Sequence, residues 1–271
     1  GNGNTTATIA AACRALPGFA NNIAASPNGT FFYELADIQG INGFDGGNIN
    51  LKEETAKTLT LGVVIQPAQL RGLSLTVDYF DIKVKNAIDT IPRDVSIEGC
   101  LDSGDPTFCS NVLRDANTGR LLTINSQLIN VADLKTRGID FNLRYTSGLG
   151  LAADDLLDLN LFYTYLLKLE KRSFPGAPVE ENRGQLDGDG RLGPGFKHRA
   201  TARMIYSAGP YSLSWTATYL GKIQDTLGGY GDEALDRLNR VGAKLYNDVQ
   251  FRAAIGEQRR FEFFVGVDNL F

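Results

Sequence analysis

The chain has 271 residues, 30 of them Gly but only one His and one Met, with 21% charged residues and a formal net charge of −4. A single His excludes a poly-His metal site and an H-E-x-x-H helix, and an acidic balance without a basic cluster argues against a nucleic-acid partner. No run approaches the ~20 apolar residues of a spanning helix, yet a membrane β-barrel stays open, because alternating strands keep the average near neutral, as the mean hydropathy of −0.15 does here.

Residues 1–48 are rich in Asn, Gly and Ala and read as an extracellular loop segment carrying Cys13. The opening string GNGNTTATIA has no basic and apolar leader pattern, which fits a mature exported chain, a cytosolic one or an internal segment.

From about residue 55 onward apolar and polar residues alternate, so successive side chains lie on opposite faces of a strand. The first predicted strand covers 55–65, with Leu59, Leu61, Val63 and Ile65 on one face. The second starts at Leu73 and changes phase at Tyr79 and Phe80, as a bulge would make it do. Then come strands through Ile139, Phe141, Leu143 and Tyr145; through Leu157 to Tyr165; through Ala202, Met204 and Tyr206; through Tyr211 to Tyr219; through Leu245 to Arg252; and over 260–269. In this third strand Asp140, Asn142 and Arg144 fall on the polar face, as does Arg203 in the fifth.

Short connections at 66–72, 146–155, 207–210 and 255–259 take turns with long ones at about 87–133, 172–197 and 222–241. Antiparallel neighbours reverse at every connection, so all the short turns lie at one end and all the long loops at the other. Loops beyond about 12–15 residues tend to be functional. The first long loop holds Cys100 and Cys109 in the polar string GCLDSGDPTFCS, read as a short-loop disulfide of an oxidising compartment. Cys13 is then odd, with its partner expected upstream of residue 1.

Two all-β architectures fit this alternation. A soluble sandwich turns the apolar face inward against a second sheet, whereas a transmembrane barrel turns it outward to lipid. Strand length, one-sided long loops and a polar face rich in charge favour a partial antiparallel transmembrane barrel of about eight strands; a soluble extracellular binding module is the alternative. With the long loops outside, the eighth strand runs outward, so at least one inward strand is expected after Phe271.

Specific strings add a family resemblance. INLKEETAKTLTLGVVIQP (49–67), LKTRGIDFNLRYT (134–146), FKHRATARMIY (196–206) and FFVGVDNLF (263–271) resemble, in order and spacing, the C-terminal barrel of TonB-dependent outer-membrane receptors. The resemblance implies a location in the bacterial outer membrane, an energy supply from the TonB complex through an N-terminal segment, and a plug domain inside the barrel. It also implies import of a scarce small-molecule or oligosaccharide ligand such as a siderophore or cobalamin. No cofactor is implied.

The chemistry-bearing candidates are few. Asp140, Asn142, Arg144 and Arg203 are lumen-facing candidates for ligand contact. Asp187 and Asp189 in LDGDGRLG have the spacing of the first two ligands of a calcium loop, but Arg191 stands at the third position. His198 has no G-x-S-x-G nucleophile string to serve, so no enzyme is expected.

Overall fold

The computed structural model describes residues 13–174, 177–186, 193–225 and 239–270. Eight long strands carry the fold: β1 (Thr55–Ile65), β2 (Leu73–Thr90), β3 (Ser126–Ser147), β4 (Leu156–Arg172), β5 (His198–Ala208), β6 (Tyr211–Leu220), β7 (Lys244–Ile255) and β8 (Phe261–Val267). Each pairs with its neighbours in sequence, from β8 at one edge to β1 at the other. The chain divides into two compact units, Gly1–Thr55, Lys85–Asp133 and Ser173–Ala177 forming one, and Ala56–Val84, Leu134–Arg172 and Pro178–Phe271 the other.

The second unit is a sheet wall whose register turns sequence alternation into two coherent faces. Across β4 to β8 the pairs are antiparallel, with Leu159 opposite Met204, Met204 opposite Trp215, Trp215 opposite Val249 and Val249 opposite Val267. Residues directly opposite each other share a face, so this row is apolar across five strands. The adjacent row, Asp158, Ile205, Ser214 and Gln250, lies on the other face. The four short connections join β1 to β2, β3 to β4, β5 to β6 and β7 to β8, and so share one end of the sheet.

Among the described residues no second sheet covers the apolar face, as a soluble sandwich would require. Val265 is 69% exposed, Phe263 59% and Leu245 53%, and among the described residues of this unit only Ala217 and Ile223 are buried apolar side chains. Such a wall lacks an apolar core of its own and needs an apolar solvent against that face. The phase change at Tyr79 and Phe80 falls inside one unbroken 18-residue strand. Beside it, Gly138 of β3 makes room for Phe80: a Cβ there would lie 2.5 Å from the ring and 3.0 Å from the Tyr165 carbonyl oxygen.

The first unit shows more order than loops alone would have. Strands β2 and β3 reach further than expected, to Thr90 and from Ser126, and the connection between them holds helices Arg93–Ser103 and Pro106–Cys109 and a hairpin, Val112–Arg114 with Leu121–Ile124. Pro92 precedes the longer helix and Gly104 ends it in a left-handed conformation. Among the described residues of this unit Ala87, Ile91, Phe108, Ile124, Ala132 and Ala177 are the buried apolar ones, and Arg93 donates to the Ile124 carbonyl at 3.0 Å and to Asp45 at 2.9 Å. The segment read as a plain loop over 1–48 likewise contains helix Phe19–Ala25, held by the Asn22 side chain, which both accepts from the Phe32 amide and donates to its carbonyl. Sequence periodicity misses these elements because none is longer than the shortest window over which it is read, about 11 residues.

Candidate functional site

The polar face of the wall gathers the predicted lumen residues and ties two of the four, Asp140 and Arg144, to side chains of the neighbouring strand. Alternate spacing along β3 puts Asp140, Asn142 and Arg144 on one side. Thr164 donates to Asp140 at 2.7 Å, and Arg144 reaches Asp158 of β4 at 3.3 Å. Asp158 also accepts from Thr146 at 3.1 Å and from Asn160 at 2.5 Å. A carboxylate with three donors is a cross-strand brace before it is a ligand contact. Asn142 differs, since its buried Oδ1 has no hydrogen-bond partner. Arg203 differs too: it is exposed, stands opposite Asn160 and Thr216, and lines an open cleft with Ser214, Asp248, Gln250 and Asp268.

Further pairs brace the same wall. Arg137 donates twice to Asp81, at 3.1 and 2.5 Å, and Lys168 pairs with Glu170, as Arg252 does with Glu262. At the short-turn end Asp155 is ringed by the amides of Leu149, Gly150, Leu151 and Ala152 and by the Tyr206 hydroxyl. Burial by itself raises the Asp155 pKa, but those amides and the hydroxyl outweigh it and hold the carboxyl below its ordinary range. This keystone is hidden in LGLAADD, where two adjacent Asp residues look alike.

His198 belongs to the apolar face. Its Nδ1 is 2.7 Å from the Tyr163 hydroxyl, and its ring stacks on Tyr165 with centroids 5.0 Å apart. An amphipathic cluster of this kind suits the boundary between lipid and water. In the first unit Cys100 and Cys109 are disulfide-bonded with Cα atoms 4.6 Å apart, while Cys13 is a free thiol. The calcium candidates Asp187 and Asp189 lie outside the described residues.

The site that sequence reasoning missed is a cavity of about 330 Å³ at the end opposite the short turns, lined by Gly184, Lys197, Lys222, Ile223, Gln224, Arg240, Val241 and Gly242. Its frame is a small sheet in which strand Ile223–Asp225 runs between Arg240–Val241 and Gln185–Leu186. These basic residues sit 18 or more positions apart along the chain at their closest to Arg240, so no local charge run marks them.

Similarity to known proteins follows the same lines. The family model for the TonB dependent receptor-like β-barrel matches residues 14–270. No curated protein matches the chain. Among solved structures it is similar to a ferric enterobactin receptor (PfeA) mutant from Pseudomonas aeruginosa, at 18% identity and a TM-score of 0.53, covering 85% of this chain and 28% of that one. The FrpB iron transporter from Neisseria meningitidis, in its apoprotein form, is similar at 14% identity and a TM-score of 0.53, over 84% of this chain and 28% of that one. The outer membrane transporter YddB from Escherichia coli is similar at 10% identity and a TM-score of 0.53, over 87% and 32%. The chain thus spans about a third or less of the length of these structures, whose likeness is one of fold. With an amphipathic antiparallel wall and a family model that covers nearly all of it, the chain belongs to the TonB-dependent receptor-like β-barrel family of the bacterial outer membrane.

Proposed function

We propose that the chain forms part of the barrel wall of an active transporter, which binds a scarce nutrient at its long-loop end and imports it with energy supplied through TonB. The observation that carries this reading is the apolar face, five strands wide by register, backed by a polar face and flanked by long, partly structured connections at one end only. In a bilayer the unpaired backbone groups of edge strands β1 and β8 have no water to bond. Further barrel strands, one of them following β8, and a plug domain against the polar face complete the protein. Residues 1–48 belong to an extracellular loop region, consistent with their grouping in one unit with Lys85–Asp133.

A ferric siderophore is the favoured cargo over cobalamin or an oligosaccharide, because two of the similar structures are a ferric enterobactin receptor and an iron transporter. Arg203 and Asn142, the predicted lumen residues without a brace, are the wall positions best placed to touch cargo or plug. Uptake of radiolabelled ferric siderophore, cobalamin and oligosaccharide in cells with and without the gene tests the proposal. Loss of one uptake on deletion, and on collapse of the proton-motive force, is expected. Unchanged uptake of all three classes in the deletion strain would sink it.

A further inference from the structure

We propose that Lys197, Lys222 and Arg240 form a binding site for a multi-oxygen anion, a phosphate or a carboxylate group, in the cavity at the long-loop end of the wall. Three observations converge on it. First, all three cations line one cavity, in a chain whose net charge is −4, so the cluster is a local arrangement and not a consequence of composition. Second, among the described residues no carboxylate lies within ion-pair distance of any of the three. Elsewhere in this wall Arg137, Arg144, Lys168 and Arg252 each have a carboxylate partner.

Third, the cavity floor is built to hold the charges. Gly184 has φ +79°, and a Cβ added there would lie 2.8 Å from Cε of Lys197, so the absent side chain is what lets the lysine stem lie across it. The Gly184 amide donates to the Gly195 carbonyl at 2.5 Å, and its own carbonyl accepts from the Gln224 amide at 2.9 Å. Arg240 is in register with Gln224, and Gln224 with Gln185, so neutral amide donors continue the row from the guanidinium. Arg183, next to Gly184, keeps a buried Nε without a partner.

An occupant must supply negative charge and several acceptors. Arg offers a planar fork that fits two oxygens of one phosphate or carboxylate, and each Lys adds a point charge. A cation is repelled, and a neutral sugar brings no charge to offset three clustered cations. The polar face adds to the field, with Arg199 and Lys244 both opposite Leu220 in the row at this end. The group can arrive on a soluble solute or as the phosphate of an outer-leaflet lipid. The site stands independently of which nutrient is imported.

Pyrophosphate is the probe, titrated calorimetrically into the full chain folded in dodecyl maltoside micelles at constant ionic strength. Saturable binding that weakens with added salt is expected. Lys222→Gln combined with Arg240→Gln should weaken it at least tenfold, whereas Arg71→Gln with Arg259→Gln at the short-turn end should leave it unchanged. The charge-keeping pair Lys222→Arg and Arg240→Lys should stay within about threefold of the parent, which separates lost charge from misfolding. Repeating the titration in phosphatidylcholine vesicles with and without lipid A identifies the source: competition by lipid A marks a lipid phosphate, and no competition marks a soluble anion. Absent pyrophosphate binding, or equal affinity in the neutralised variant, overturns the site. Either failure in a chain that still folds in micelles leaves the transporter reading intact.

Discussion

Met204 offers the sharpest test of which face meets lipid. It lies in the apolar row between Leu159 and Trp215, six residues from the start of β5 and four from its end. At about 3.4 Å per residue those spans are about 20 and 14 Å along the strand. With a tilt of about 40° they are about 15 and 10 Å along the membrane normal, deep within an apolar band about 25 Å tall. Arg at such a depth on the lipid face costs about 2–4 kcal/mol, or about 30- to 700-fold in the folding equilibrium. Ser214→Arg, in the polar row opposite Ile205 and Gln250, should cost under about 1 kcal/mol because a wet or plug-lined lumen can solvate the charge. The assay is guanidinium unfolding of the chain in phosphatidylcholine vesicles. Trp215, the only Trp in the sequence, reports the transition, and heat-dependent gel mobility confirms it. A Ser214→Arg penalty equal to or larger than that of Met204→Arg would reverse the assignment of faces.

Three other outcomes are expected. Gly138→Val places methyl groups where Phe80 and the Tyr165 carbonyl already sit, so the same unfolding midpoint should fall by the equivalent of about 1–3 kcal/mol; an unchanged midpoint would mean that Phe80 moves freely. Asp155, held below its ordinary value of 3.8, stabilises the fold fully above that pH, and the contribution disappears as pH falls through the lower folded-state value. An acid titration of Asp155→Asn in micelles should therefore lack part of the parent's loss of stability below about pH 4, and superimposable profiles would refute the keystone role. Replacing Cys100 and Cys109 by Ser opens a ten-residue loop, worth about 2.7 kcal/mol in the chain-entropy model. Limited proteolysis should then cut within residues 93–111 while β circular dichroism stays constant; resistance equal to the parent's would show that the helices hold without the bond.

The transporter reading and the anion site draw on different properties of one wall. The apolar face depends on side-chain alternation over five strands, so it tolerates exchange among apolar residues. The anion site depends on three charges and one glycine, and a single change at Gly184 would displace Lys197. Variants can therefore separate folding in the membrane from recognition at the loop end.

Alternation alone makes β1 to β8 legible, because a period of two fixes which side chains share a face before any partner strand is known. The order of short and long connections is legible for the same reason, and so is the Cys100 to Cys109 bond, whose two residues are close along the chain. The braces on Asp158, the reach of the Tyr206 hydroxyl to Asp155, the aromatic hold on His198 and the cluster of Lys197, Lys222 and Arg240 are not. Each joins groups from different strands or turns, and their meeting depends on register and on backbone conformations such as that of Gly184, neither of which leaves a periodic trace. Local pattern dictates strand faces because it acts through the chain's own geometry, whereas charge pairing is a long-range choice that exists only once the strands are aligned.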